Sequence, residues 1–109
     1  MAEVVIINEK SAPNCKYGLY QQELTLSFAA SDASKAGALT YSAFLSAPNF
    51  QYSIKTLTAG GNLTDIKTIS ITTAATTTAV TLTAIANAAP GGSDTAEVII
   101  NVWYTGRKA

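Results

Sequence analysis

The chain has 109 residues, room for one domain spanning 1–109, and its seven basic and seven acidic side chains cancel. Zero net charge weighs against phosphate-driven binding of nucleic acid, since Lys10, Lys16, Lys35, Lys55 and Lys67 are scattered and Arg107-Lys108 is the only basic pair. There is no histidine, which removes the commonest general base and the commonest metal ligand.

The first element is a strand over 3–8. Ala2-Glu3-Val4-Val5-Ile6-Ile7-Asn8 nearly repeats Ala96-Glu97-Val98-Ile99-Ile100-Asn101 at the other end of the chain. Both runs are apolar at consecutive positions. A strand alternates its side chains between two faces, so both faces of these two are greasy. The four apolar residues from Val4 to Ile7 are followed by Asn8-Glu9-Lys10, too short a run for a signal peptide. The expected site of synthesis is therefore a cytoplasm.

Residues 10–18 read as a loop, with turn chemistry at Ser11-Ala12-Pro13-Asn14. Cys15 lies in it and is the only cysteine, so no disulfide forms within the chain; a small buried or loop thiol is expected. A second strand over 23–29 places Leu24, Leu26 and Phe28 on one face. Residues 31–37 read as a connecting loop or a single helical turn. A third strand is expected over 39–45, ended by Ala47-Pro48-Asn49. A fourth over 50–57 has Phe50, Tyr52 and Ile54 facing together.

Ala59-Gly60-Gly61-Asn62 is a turn signal. A fifth strand follows over 65–73 and a sixth over 76–86, with Val80, Leu82 and Ala84 on one face. The loop 87–94, with Pro90-Gly91-Gly92, leads to a seventh over 95–105. No charged residue lies between Thr68 and Ser93, but the stretch is Thr-rich and broken by Pro and Gly, so strands are expected and no membrane insertion. Thr-x-Thr recurs at Thr56/Thr58, Thr76/Thr78 and Thr81/Thr83, too irregularly for an ice-binding rank; it reflects β-propensity. Short strands at this spacing, with turns between and no helical stripe, predict an all-β antiparallel β-sandwich, immunoglobulin-like or jelly-roll-like.

Little in the chain carries chemistry. Glu3, Glu9, Glu23, Asp32, Asp65, Asp94 and Glu97 are spread out, and no calcium-type D-x-D loop, cysteine cluster or phosphate-cradling glycine motif appears. No catalytic, cofactor-binding or metal site is expected, and no cofactor. Asn62-Leu63-Thr64 matches a glycosylation sequon, a pattern common by chance. Tyr17, Tyr20 and Tyr52 are candidate sugar-stacking rings in or near loops, while Trp103-Tyr104 are weighed between core packing first, an interface next and ligand stacking last.

The run Thr76 to Tyr104, TTTAVTLTAIANAAPGGSDTAEVIINVWY, resembles the last hairpin of bacterial and phage immunoglobulin-like domains. The chain departs from the usual immunoglobulin pattern in lacking Cys…Trp…Cys. The resemblance implies a β-sandwich that decorates virions or bacterial surfaces and binds partners without catalysis.

The expected function is that of a non-catalytic structural protein of a bacteriophage virion, a capsid decoration or head or tail accessory. Its partners are copies of itself or a virion shell protein, in a homo-oligomer or lattice. A surface adhesin or carbohydrate-binding module is the alternative. The expected interface residues are Val4, Ile6, Ile7, Ile99, Trp103 and Tyr104, because an apolar strand with no cover inside the chain needs one from outside it.

Overall fold

The computed structural model describes residues 4–7 and 18–109, Val5 and Ile7 by backbone alone. Seven strands form two antiparallel sheets, and no helix occurs among the described residues. The strands are β1 (Val4–Ile7), β2 (Gly18–Phe28), β3 (Ser34–Thr40), β4 (Asn49–Thr58), β5 (Ile66–Thr73), β6 (Ala79–Ala86) and β7 (Ala96–Gly106). The first sheet runs β1-β2-β7-β4 and the second β3-β6-β5.

The pairing is nested. β2 lies beside β7 in one sheet and β3 beside β6 in the other, so the middle of the chain folds back inside its ends. This wrap is jelly-roll-like. It differs from the immunoglobulin arrangement, where the second strand neighbours the fifth. The likeness of the Thr76–Tyr104 run to an immunoglobulin hairpin does not extend to topology: β6 and β7 stand in different sheets.

Alternation builds the core. On β2, Leu24, Leu26 and Phe28 point inward together with Tyr20 and Gln22. On β7, Val98, Ile100, Val102 and Tyr104 are all 0% exposed. On β6, Val80, Leu82 and Ala84 meet them from the second sheet. Each aliphatic side chain fully buried in this way contributes about 1.5–3 kcal/mol. At one end of the core, Tyr20, Tyr41, Phe44, Phe50 and Tyr104 form an aromatic cluster, with adjacent ring centroids 5.2 to 6.0 Å apart. Gln22 is the buried polar side chain beside it. Its Nε2 donates to Tyr104 Oη at 2.9 Å and to the Thr40 carbonyl at 2.6 Å, which meets the requirement that buried polar groups find partners.

The strand expectations hold for β2, β6 and β7, with β2 starting five residues earlier, at Gly18 rather than Glu23. The second connecting loop is shorter than expected. Only a turn over 29–33 separates β2 from β3, closed by the Asp32 N–H on the Ala29 carbonyl at 3.0 Å. The expected third strand over 39–45 shifts to Ser34–Thr40, because β6 supplies a ladder for it there. The stretch beyond it is irregular apart from a bridge of Phe44 to Lys108. Phe50, Tyr52 and Ile54 share the inward face of β4, opposite Tyr104, Val102 and Ile100. As β4 is an edge strand, Ile54 remains 42% exposed.

The register is unbroken where β2 meets β7 and where β3 meets β6. Irregularities fall on β1, β4 and β5, three of the four edges. Lys35, Lys55 and Lys67 stand one each on the edge strands β3, β4 and β5. The turn after β4 needs its glycines. Gly61 has φ of 55°, and a Cβ on Gly60 would overlap the Thr95 carbonyl, so this turn packs directly against the loop before β7.

Candidate functional site

The outer face of the β1-β2-β7-β4 sheet holds three of the six expected interface residues, Val4, Ile99 and Trp103. Residues directly opposite in an antiparallel pair share a face, so the register lays this surface out in rows. One row runs Val4, Gln21, Trp103, Gln51 from β1 to β4. The next row towards the β7 C-terminus holds Leu19, Thr105 and Asn49. In the other direction come Glu23, Asn101 and Ser53, then Thr25, Ile99 and Thr56.

The expected site residues separate on this map. Val4 and Ile6 lie on the edge strand β1 and are 48% and 46% exposed. The side chain of Ile7 lies outside the described residues. Ile99 and Trp103 both point outward from β7 and are half-buried. Tyr104 is a correction: it points inward, stacks 5.8 Å from Tyr20 and accepts a hydrogen bond from Gln22, so it has no surface to offer a partner. The expected trio of loop aromatics does not come together either. Tyr20 is buried in the aromatic cluster, Tyr52 faces inward from β4, and Tyr17, like Cys15, lies outside the described residues.

The cover expected from outside the chain is partly supplied from within. Lys55 Nζ meets Glu23 Oε2 at 2.6 Å. Lys55 is on β4 and Glu23 on β2, the two strands flanking β7, so the pair passes over the outer face of β7 between them. Gln21 Nε2 also donates to Asn101 Oδ1 at 3.1 Å.

Around Trp103 the surface is concave instead. A groove of about 220 Å³ is lined by Leu19, Trp103, Thr105, Asn49, Phe50 and Gln51. Its lining carries no charge. Asn49, Gln51 and Leu19 carried no signal in the sequence. They meet Trp103 only because β4 and β2 flank β7, an order that no local pattern encodes.

No cluster of acidic, cysteine or histidine side chains fit for a metal occurs among the described residues. Two more described carboxylates have local structural partners: Asp32 accepts from the Ala29 N–H at 3.0 Å and lies 3.9 Å from Lys35, and Asp65 accepts from the Ile66 N–H at 2.9 Å. No described helix is long and apolar enough to cross a membrane.

Known structures share this fold. The tailspike protein gp49 from Pseudomonas phage LKA1 superposes with a TM-score of 0.63 at 13% identity, over 85% of this chain and 15% of that one. The Gp54 tailspike of Acinetobacter baumannii bacteriophage AP22, solved in complex with A. baumannii capsular saccharide, gives a TM-score of 0.57 at 10% identity, over 84% of this chain and 17% of that one. The tailspike gp61 of Pseudomonas phage phi297 gives 0.51 at 13% identity, over 79% and 15%. The chain thus spans about a sixth of the tailspikes it resembles. No family model matches the chain. No curated protein matches it by sequence.

Proposed function

We propose that this chain is a non-catalytic structural module of a bacteriophage virion, placed in the tail rather than on the capsid shell, and working through protein–protein contacts. The observation that carries this reading is the fold itself, which recurs over 79% to 85% of the chain within three phage tailspikes. The same comparison favours a tail accessory over capsid decoration, since each of the three is a tailspike. The residue chemistry supports the absence of catalysis. A chain without histidine would have to rest acid–base work on carboxylates, and Glu23, Asp32 and Asp65 are engaged in structural contacts.

Assembly proceeds through the β1 edge and the outer face beside it. The partner is a second copy of the chain or another virion protein, and the product is made in the host cytoplasm. Val4 and Ile6 present apolar surface at a sheet edge, and an edge strand is a template for pairing with another chain. Ile7 and Ile99 complete the proposed contact set, and Trp103 is left out of it.

Light scattering of the purified chain against concentration tests this, with Ile6→Lys beside it. The parent is expected to associate, and the variant to remain a folded monomer. A folded Ile6→Lys protein that assembles like the parent overturns the interface. Purified virions that lack the chain by mass spectrometry overturn the tail reading.

A further inference from the structure

Trp103 differs from the other residues that the sequence marked for the interface in what surrounds it. Val4 and Ile6 offer apolar surface on an edge strand, whereas Trp103 stands in the groove of about 220 Å³ with Asn49, Gln51 and Thr105 beside it. Elsewhere on this face polar side chains bond one another, Gln21 to Asn101 and Glu23 to Lys55. In the groove they do not. Among the described residues, the Trp103 indole N–H, the two amides and the Thr105 hydroxyl have no hydrogen-bond partner.

We propose that this groove binds a neutral saccharide. A sugar ring has an apolar C–H face and a rim of hydroxyls, each both donor and acceptor. An indole face is apolar and carries the negative side of the ring quadrupole, which suits C–H groups laid against it. Asn49 and Gln51 each present a carbonyl acceptor and two N–H donors, and Thr105 adds a hydroxyl, so the rim can be bonded from both β4 and β7. The lining offers no counter-charge for an acidic ligand. An apolar side chain from a protein partner fits less well, because it would bury these polar groups without partners. The volume suits about one sugar ring, smaller than the ~300 Å³ at which drug-sized pockets begin. This site goes beyond the assembly reading and does not rest on it.

Trp103 is the only tryptophan in the chain, so indole emission reports on the groove alone. The full chain is applied to an array of neutral and acidic oligosaccharides, and the strongest neutral binder is titrated while emission and acrylamide quenching are followed. The expected result is a saturable emission shift with protection from quenching. Trp103→Ala should lower affinity at least about tenfold, and Gln51→Ala about fivefold, the effect of one hydrogen bond. Both variants should keep the parent's circular dichroism and Tm. Should Trp103→Ala fail to fold, Asn49→Ala and Gln51→Ala carry the test, as both side chains are exposed. No neutral glycan bound, binding of acidic glycans alone, or affinity unchanged in the folded variants overturns the proposal. So does an emission change that follows protein concentration and ignores sugar, which would mark the groove as a protein contact.

Discussion

Val4-Val5-Ile6-Ile7 on β1 and Val98-Ile99-Ile100 on β7 are nearly the same run of residues in very different surroundings. β7 has β2 on one side and β4 on the other, the second sheet against its inner face, and the Glu23–Lys55 pair across its outer one. β1 pairs only with the Leu19–Gln21 end of β2, and its register is irregular even over four residues. Val98 and Ile100 are wholly enclosed while Val4 and Ile6 are close to half exposed. The same side chains thus supply the core in one place and an uncovered edge in the other. A strand that is apolar on both faces can be satisfied within a single chain, but only in the middle of a sheet.

Mutation breaks or sharpens this contrast. Ile100→Ala should have the largest effect, about 2–5 kcal/mol by denaturant unfolding, since it opens a cavity where nothing can move in. Ile6→Ala in the monomer should stay within ~0.5 kcal/mol, as a surface change does. Equal losses at the two positions would erase the distinction. A smaller effect is expected at Tyr41, whose ring lies 5.2 Å from that of Tyr104 on β7 and whose hydroxyl donates to the Thr76 carbonyl at 2.9 Å. Tyr41→Phe should cost about 1 kcal/mol at neutral pH.

The Tyr41 substitution also has a pH signature. Burial raises the Tyr41 pKa above its ordinary 10.0, so the folded state holds the phenol proton more tightly than the unfolded chain. Its contribution is complete below pH 10.0 and is lost as pH rises through and beyond that value. Unfolding followed from pH 8 to 11 should therefore show a steeper alkaline decline in the parent than in Tyr41→Phe, and parallel curves would rule this out. The smallest effect belongs to Lys55→Ala. An ion pair with partly exposed partners contributes ~0.2–1 kcal/mol and weakens with salt. Its loss should be visible in low-salt melting curves and vanish in high salt.

Strands whose inward positions carry large apolar residues were legible in the sequence. Leu24, Leu26 and Phe28 announce β2, and Val80, Leu82 and Ala84 announce β6. β3 escapes the sequence pattern because Lys35 and Gly37 occupy positions opposite Ala84 and Leu82, so its first half has no large apolar side chain to betray it; pairing with β6 makes it a strand. Tyr20 read as a loop residue because Gln22, a polar side chain turned inward, interrupts the alternation that continues from Leu24. Val4 and Trp103 turn outward and Tyr104 turns inward, since neighbours on a strand must face opposite ways, and the paired aromatics gave no sign of which would face out. The groove was out of reach. Its walls come from residues 19, 49–51 and 103–105, joined by a strand order that composition and spacing do not record.

The placement of the lysines bears on how such a chain avoids the wrong company. A sandwich with two open sheets has four free edges, each able to recruit strands indiscriminately and nucleate aggregates. β3, β4 and β5 each carry one lysine, whose charge would have to be buried beside an incoming strand. β1, with two valines and two isoleucines, carries no such gatekeeper. Three edges thus carry a charge against adventitious polymerisation while the four residues of β1 carry none, a difference that suits the strand addition proposed for that edge.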